Sequence, residues 1–233
     1  MVNKKYVILP AVGIAIVAVV VGISLSISLS TSGTADMVSN KEGQNTEARS
    51  SSVLEMFSGG SPILGSPDAP VTMVEFGDYQ CMNCNRYFRN TEHMILQNYV
   101  ETGKLKIIFV DFAFIGPDSF PAAQAAHCAN DQSKYWEYHD ETYSNWNGEN
   151  TGWAGIYNLK RFASNIGLDQ NSFNQCLDSE KYAKKVRANT ELGRKIGITG
   201  TPTFFIFDSE GEATKIVGAQ PYSSFEKVLD AKS

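Results

Sequence analysis

Two cysteines separated by two residues, Cys81 and Cys84, form the most reactive pattern in this chain. They follow residues 71–76, which are rich in β-branched and aromatic side chains, and they precede apolar residues at helical spacing. A cysteine at a helix N-terminus meets unpaired N–H groups and the positive end of the helix dipole, which lower its pKa. A second cysteine one turn further on can close a disulfide with it. The pattern therefore predicts two-electron thiol–disulfide exchange.

Metal binding and a purely structural role are the alternatives for this pair. Zinc sites usually have four ligands, whereas only Cys128 and Cys176 remain as further cysteines, and they are widely spaced. Reduced Cys81 and Cys84, together with the Met82 thioether, would instead suit Cu(I) or Zn²⁺. An interaction domain with an inactive cysteine pair is the third alternative. The strand before the motif and the helix after it favour redox chemistry without a cofactor.

Length and composition indicate one globular domain with accessory segments. The chain has 233 residues, of which 42% are hydrophobic and 19% charged, as in ordinary globular proteins. Its net charge of −5 and the absence of a basic cluster argue against binding to nucleic acid.

The N-terminal segment differs from the rest in composition. Lys4 and Lys5 precede uncharged, apolar residues 7–29, which as a helix would span roughly 34 Å and cross a bilayer. We expect residues 1–30 to form a cytoplasmic tip and one transmembrane helix, with the N-terminus in the cytoplasm. A cleaved signal peptide is the alternative. Residues 31–57, rich in Ser, Thr, Gly, Asn and Glu, are predicted to be a flexible linker.

The remaining residues, 58–233, predict an α/β domain. Its expected order is β-α-β, then a helical insertion, then β-β-α, with the first two strands parallel. The predicted strands are 71–76, 104–112, 203–207 and 214–217. Helices are predicted from the cysteine motif to about 102, within the insertion at about 118–193, and at 221–231.

Three segments carry a resemblance to a known family: Glu75–Cys84, Ala125–Gln132 followed by Tyr135–His139, and Gly197–Phe205. With the lead-in Pro62–Pro70, they make residues 58–230 resemble the membrane-tethered, DsbA-like disulfide oxidoreductases of the thioredoxin superfamily. The resemblance implies a thioredoxin-like fold with an inserted helical subdomain.

The resemblance also implies roles for individual residues. Cys81 matches an exposed nucleophile, and Cys84 a buried resolving cysteine. Pro202, preceded by Thr201, matches a cis-proline that faces the active site and helps to hold a substrate backbone. Glu75 matches a buried acid that relays the proton of the resolving cysteine.

Two further expectations concern the surroundings of this site. A lysine is expected to balance the charge of the buried acid, and Lys106 on the neighbouring strand is the candidate. The resemblance also suggests a structural disulfide between Cys128 and Cys176, with two buried free thiols as the alternative.

The expected function is extracytoplasmic exchange of disulfides with protein substrates, most simply as an oxidase. The dipeptide Met82-Asn83 departs from the pairs of well-known family members, so a reductase or isomerase remains an alternative. Expected partners are unfolded or cysteine-containing extracytoplasmic proteins and a membrane redox partner that reoxidises the site. The domain would be held at the cell membrane by its own anchor.

Overall fold

A four-stranded mixed sheet forms the centre of the computed structural model, which describes residues 52–233. Strand β1 (Val71–Gly77) pairs in parallel with β2 (Leu105–Asp111). On its other side, β1 pairs antiparallel with β3 (Thr203–Phe207), which pairs antiparallel with β4 (Ala213–Val217). The order β2-β1-β3-β4 confirms the α/β fold that the order of the predicted elements indicated, and it agrees with the thioredoxin-like fold that the family resemblance implied.

One helical run, here called α1, covers residues 82–100 and connects β1 to β2. It alternates α-helical and π-helical segments: Met82–Tyr87, Phe88–Glu92, His93–Ile95 and Leu96–Val100. The sequence predicted a regular helix here. Its buried residues come in adjacent pairs at 91–92, 95–96 and 99–100, a repeat of four residues. This repeat exceeds the 3.6 residues of an α-helical turn, and the wider π turns keep those pairs on one face.

The predicted helical insertion between β2 and β3 is present. It contains five helices: α2 (Ser119–Asn130), α3 (Tyr135–Ser144), α4 (Ile156–Asn165), α5 (Gln170–Asp178) and α6 (Ala183–Lys195). A disulfide between Cys128 of α2 and Cys176 of α5 joins two of them. The last helix, α7 (Tyr222–Lys232), packs its buried Phe225 against Phe204 of β3, with ring centroids 4.9 Å apart.

The two faces of the sheet are buried in separate clusters. Met73 and Phe109 point into the larger cluster, which contains residues of α1, of the insertion helices α2 to α5 and of α7. Phe76 and Val110 point into a smaller cluster on the opposite face. Both faces of β1 and β2 are therefore covered, which explains why these strands consist almost entirely of buried residues.

The predicted anchor and most of the predicted linker lie outside the described residues. Within residues 52–233, the helices are all too short or too polar for a membrane crossing.

Candidate active site

The cysteine motif begins where β1 ends, and a buried aspartate shapes the turn between them. Asp78 is 2% exposed, and its carboxylate accepts the backbone N–H groups of Gln80, Phe114 and Ile115 at 2.8–2.9 Å. Its carbonyl oxygen accepts the Cys81 N–H at 3.0 Å. Burial raises the Asp78 pKa, although these N–H groups act in the opposite direction. Asp78 therefore joins the turn before Cys81 to the chain that follows β2.

Cys81 is the residue that caps the N-terminus of α1, and its backbone is extended. Its side chain is only 3% exposed, whereas the family resemblance implied an exposed one. The difference arises because the loop before β3 lies against the sulfur, where the Thr201 carbonyl oxygen accepts the thiol at 3.3 Å. A reacting partner therefore has a narrow approach to this sulfur.

The Cys81 thiol is acidic for a cysteine. The Cys81 pKa is lowered to about 6, mainly by a hydrogen bond from the Cys84 thiol. The Thr201 side chain and the backbone N–H groups of Cys84 and Asn83 lower the pKa further, whereas burial raises it. At neutral pH the reduced pair therefore carries a thiolate at Cys81, in the form that attacks disulfides.

Cys84 lies one helical turn further on and behaves in the opposite way. It is 1% exposed, and burial raises its pKa well above the ordinary value, with the hydrogen bond and negative charge of Cys81 adding to the effect. The two free thiols of the described chain thus differ strongly in acidity, with one thiolate and one protonated thiol.

The loop that faces the cysteines contains a cis peptide bond between Thr201 and Pro202. This loop is held from both sides: the Thr203 hydroxyl donates to the Gly200 carbonyl at 2.7 Å, and the Gly218 N–H donates to the Pro202 carbonyl at 2.8 Å. Thr201 and Pro202 are therefore brought directly to the cysteine pair by the start of β3.

Glu75 lies on β1 beneath the motif and is 5% exposed. Burial raises the Glu75 pKa well above its usual value, and the nearby charges of Glu92 and Cys81 raise it further. Glu75 in turn contributes to the raised pKa of Cys84. Glu92, on α1, is a second buried acid that the sequence analysis did not select.

The prediction that Lys106 balances Glu75 is wrong. Lys106 is opposite Thr72 in the β1–β2 register, whereas Glu75 is opposite Phe109. Side chains alternate between the faces of a sheet, so Lys106 and Glu75 point to opposite sides. The Lys106 ammonium group donates to the Pro67 carbonyl at 2.8 Å instead.

The insertion reaches the cysteine motif through Gln80, which is fully buried. The Gln80 amide oxygen accepts the Asn150 N–H at 3.0 Å, and its carbonyl oxygen accepts the Trp146 indole N–H at 2.8 Å. Next to it, the N–H of Met82 donates to the carboxylate of Glu149 at 2.9 Å. No local sequence pattern singles out these residues, because only the fold brings the loop between α3 and α4 to the motif.

The site offers few metal ligands beyond the two thiols. Within residues 52–233, His, Cys, Asp and Glu side chains nowhere gather in a group of three or more that could hold a metal ion. The Met82 side chain is 49% exposed at the start of α1.

A family model described as thioredoxin matches residues 58–231. The chain belongs to the thioredoxin family. Disulfide bond formation protein D of Bacillus subtilis is 31% identical over 152 residues, covering 64% of this chain and 68% of that protein.

Two solved structures resemble the fold closely. The oxidised BdbD from Bacillus subtilis has a TM-score of 0.67 and 26% identity, over 76% of this chain and 94% of that chain. The alpha-DsbA1 of Wolbachia pipientis has a TM-score of 0.65 and 29% identity, over 73% and 89%. This thioredoxin-family member is a DsbA-like thiol–disulfide oxidoreductase.

Proposed function

We propose that the protein is an extracytoplasmic oxidase that transfers the Cys81–Cys84 disulfide to protein substrates. The observation that carries the proposal is the acidity of Cys81, with a pKa of about 6, beside a buried and protonated Cys84. A stabilised thiolate makes the reduced enzyme favourable and its disulfide oxidising. The relative named disulfide bond formation protein D supports the same direction.

The size of this effect follows from the acidity of Cys81. At pH 7, a thiol of pKa about 6 is roughly nine-tenths thiolate, whereas one at the reference value of 9.0 is about 1% thiolate. Ionisation therefore shifts the equilibrium toward the reduced enzyme about tenfold, which corresponds to about 30 mV for a two-electron couple.

The proposed reaction has two exchange steps. A substrate thiolate attacks the Cys81 sulfur, the Cys81–Cys84 bond breaks, and Cys84 leaves as a thiolate. A second thiolate of the substrate then attacks the substrate sulfur of this mixed disulfide, and Cys81 leaves as a thiolate. The substrate has lost two electrons and gained a disulfide, and the enzyme holds two reduced cysteines. The Thr201 carbonyl oxygen lies 3.3 Å from the Cys81 sulfur, and Thr201 together with Pro202 would position the substrate backbone.

Glu75 is proposed to supply the proton that Cys84 needs when it leaves. Burial raises the pKa of both groups, so a protonated Glu75 can give its proton to a basic Cys84 thiolate and recover it later. We expect Glu75→Gln to slow substrate oxidation about tenfold or more, at the low end of general acid–base effects. Stopped-flow oxidation of a dithiol peptide measures this rate. If Glu75→Gln oxidised the peptide at the wild-type rate at every pH from about 5 to 8, a role for Glu75 in the mechanism would be contradicted.

The location is proposed from the N-terminal sequence. Residues 1–30 would anchor the protein in the cell membrane, with residues 31–57 as a linker and the catalytic domain outside. Substrates would then be cysteine-containing extracytoplasmic proteins, and a membrane redox partner would restore the disulfide. Recovery of the full-length chain from membranes at its full mass would support a retained anchor, and a shortened soluble form would indicate cleavage.

The reduction potential of Cys81–Cys84 against glutathione tests the direction of the reaction. We expect the potential to lie well above the value of about −270 mV typical of thioredoxin. A value near that of thioredoxin would contradict an oxidase and favour a reductase or isomerase. The same measurement with Cu(I) or Zn²⁺ present tests the alternative: metal held on Cys81, Cys84 and Met82 with no redox cycling would replace the redox function with metal binding.

A further inference from the structure

We propose that Glu149, in the loop between α3 and α4, opposes the negative charge of the Cys81 thiolate and thereby limits the oxidising strength of the disulfide. The inference concerns a positioning residue outside the cysteine motif. It rests on thiol–disulfide exchange at Cys81, and deepens the proposed function by naming a residue that sets the strength of the oxidant.

The carboxylate of Glu149 and the sulfur of Cys81 occupy the same helix end. The first N–H group of α1, that of Met82, donates to Glu149 Oε1 at 2.9 Å. The next two N–H groups, those of Asn83 and Cys84, act on the Cys81 sulfur. Two anions therefore share the electropositive end of one helix, and Met82 is the immediate neighbour of Cys81 in the chain.

Glu149 is held in this position by the residues around it. The Asn150 N–H donates to the buried Gln80 side chain at 3.0 Å, and the Trp146 indole donates to the Gln80 carbonyl at 2.8 Å. The Thr151 hydroxyl donates to the Asn147 carbonyl at 2.8 Å, which closes the loop around Glu149. The carboxylate is therefore a fixed feature of the site, although the residue itself is exposed.

Cations do not offset this charge in the part of the chain that the structure describes. The ion pairs within residues 52–233 involve other carboxylates. An unneutralised carboxylate near a thiolate makes the thiolate less stable. The surrounding solvent screens this repulsion without removing it. Since only the reduced enzyme carries the thiolate, the repulsion favours the disulfide and makes it a weaker oxidant.

Glu149→Gln separates this charge from the hydrogen bond, because the amide oxygen can still accept the Met82 N–H. Glu101→Gln is the matched control: Glu101 is an exposed acid at the C-terminal end of α1, and its replacement changes the net charge equally. Ultraviolet absorption of the thiolate in the reduced, full-length protein measures the Cys81 dissociation constant. Equilibration with glutathione measures the redox equilibrium constant.

We expect Glu149→Gln to raise the dissociation constant of Cys81 about threefold, as for two charges separated by solvent-exposed surface. The equilibrium with glutathione should shift about threefold toward the reduced enzyme, or about 14 mV. Glu101→Gln should match the wild type. The effect of Glu149→Gln should shrink in 1 M salt, where the Debye length is about 3 Å.

Two results would overturn the proposal. One is a Cys81 dissociation constant in Glu149→Gln that equals that of Glu101→Gln. The other is a change seen in Glu149→Ala but absent in Glu149→Gln, which would show that Glu149 only anchors the loop. Both readouts use the reduced cysteine pair, so they remain decisive whether the enzyme acts as an oxidase or a reductase.

Discussion

Replacing Cys84 with serine is expected to abolish catalytic turnover while leaving Cys81 able to form mixed disulfides. Without Cys84 the pair cannot close, so the variant has no disulfide to donate. The Cys81 thiolate still attacks a disulfide in a substrate, but the intramolecular thiol that would release the product is missing. Intramolecular attack by a well-placed group corresponds to a very high effective concentration, so release by millimolar external thiols should be at least about 10³-fold slower.

The pH dependence of this trapping reaction reports directly on Cys81. Its rate should rise as the pH passes through the Cys81 pKa and then level off, because the thiolate is the attacking species. That pKa is about 6 with Cys84 present, and in Cys84→Ser the serine hydroxyl can donate the hydrogen bond that the Cys84 thiol donates. Non-reducing gels and mass spectrometry of Cys84→Ser incubated with a disulfide-containing peptide measure the adduct. Cys81→Ser is the control and should form none, because burial raises the pKa of Cys84 and keeps it in the unreactive thiol form. Adducts on Cys84 in that control would reverse the roles assigned to the two cysteines.

The elements that position the cysteines could be predicted from local patterns. Strand β3 begins and ends as predicted, at 203–207, because a run of aromatic and β-branched residues follows a proline and precedes a turn. The end of α1 is less regular than predicted, because its buried residues follow a four-residue repeat, which π turns keep on one face of the helix. That contact depends on tertiary packing, which helical periodicity alone does not capture.

The surroundings of the cysteines could be predicted only in part. The motif itself and the Thr201-Pro202 loop were selected from short segments of sequence. Lys106 was predicted to lie near Glu75, but it points to the opposite face of the sheet. The sequence does not give the register between β1 and β2 that decides this. Glu149 contacts Met82 from 67 positions away, and no local pattern distinguishes it from other exposed acids. The residues that adjust the chemistry are thus the ones that the fold brings in from the insertion.

The second cysteine pair is expected to stabilise the fold. Cys128 and Cys176 are joined across a sequence separation of 48 residues, and the bond ties α2 to α5 within the insertion. Closing a loop of this length restricts the unfolded chain, which corresponds to about 4 kcal/mol in the loop-entropy model. The double variant Cys128→Ala/Cys176→Ala should lose about this much free energy of unfolding, a large share of the 5–15 kcal/mol typical of a domain. Urea denaturation under oxidising conditions measures the loss.

The matched control is Cys81→Ala/Cys84→Ala, which removes the other pair of cysteines. A disulfide between residues three positions apart closes a very short loop, so it restricts the unfolded chain far less. Removing this pair also removes the redox-active disulfide, so the unfolding free energy of the variant should not depend on glutathione potential over the range in which Cys128–Cys176 stays oxidised. The two double variants therefore distinguish the roles of the two pairs. Cys128–Cys176 should determine the free energy of unfolding, and Cys81–Cys84 should determine the response to the redox buffer. Equal unfolding midpoints for the two double variants would contradict a stabilising role for Cys128–Cys176.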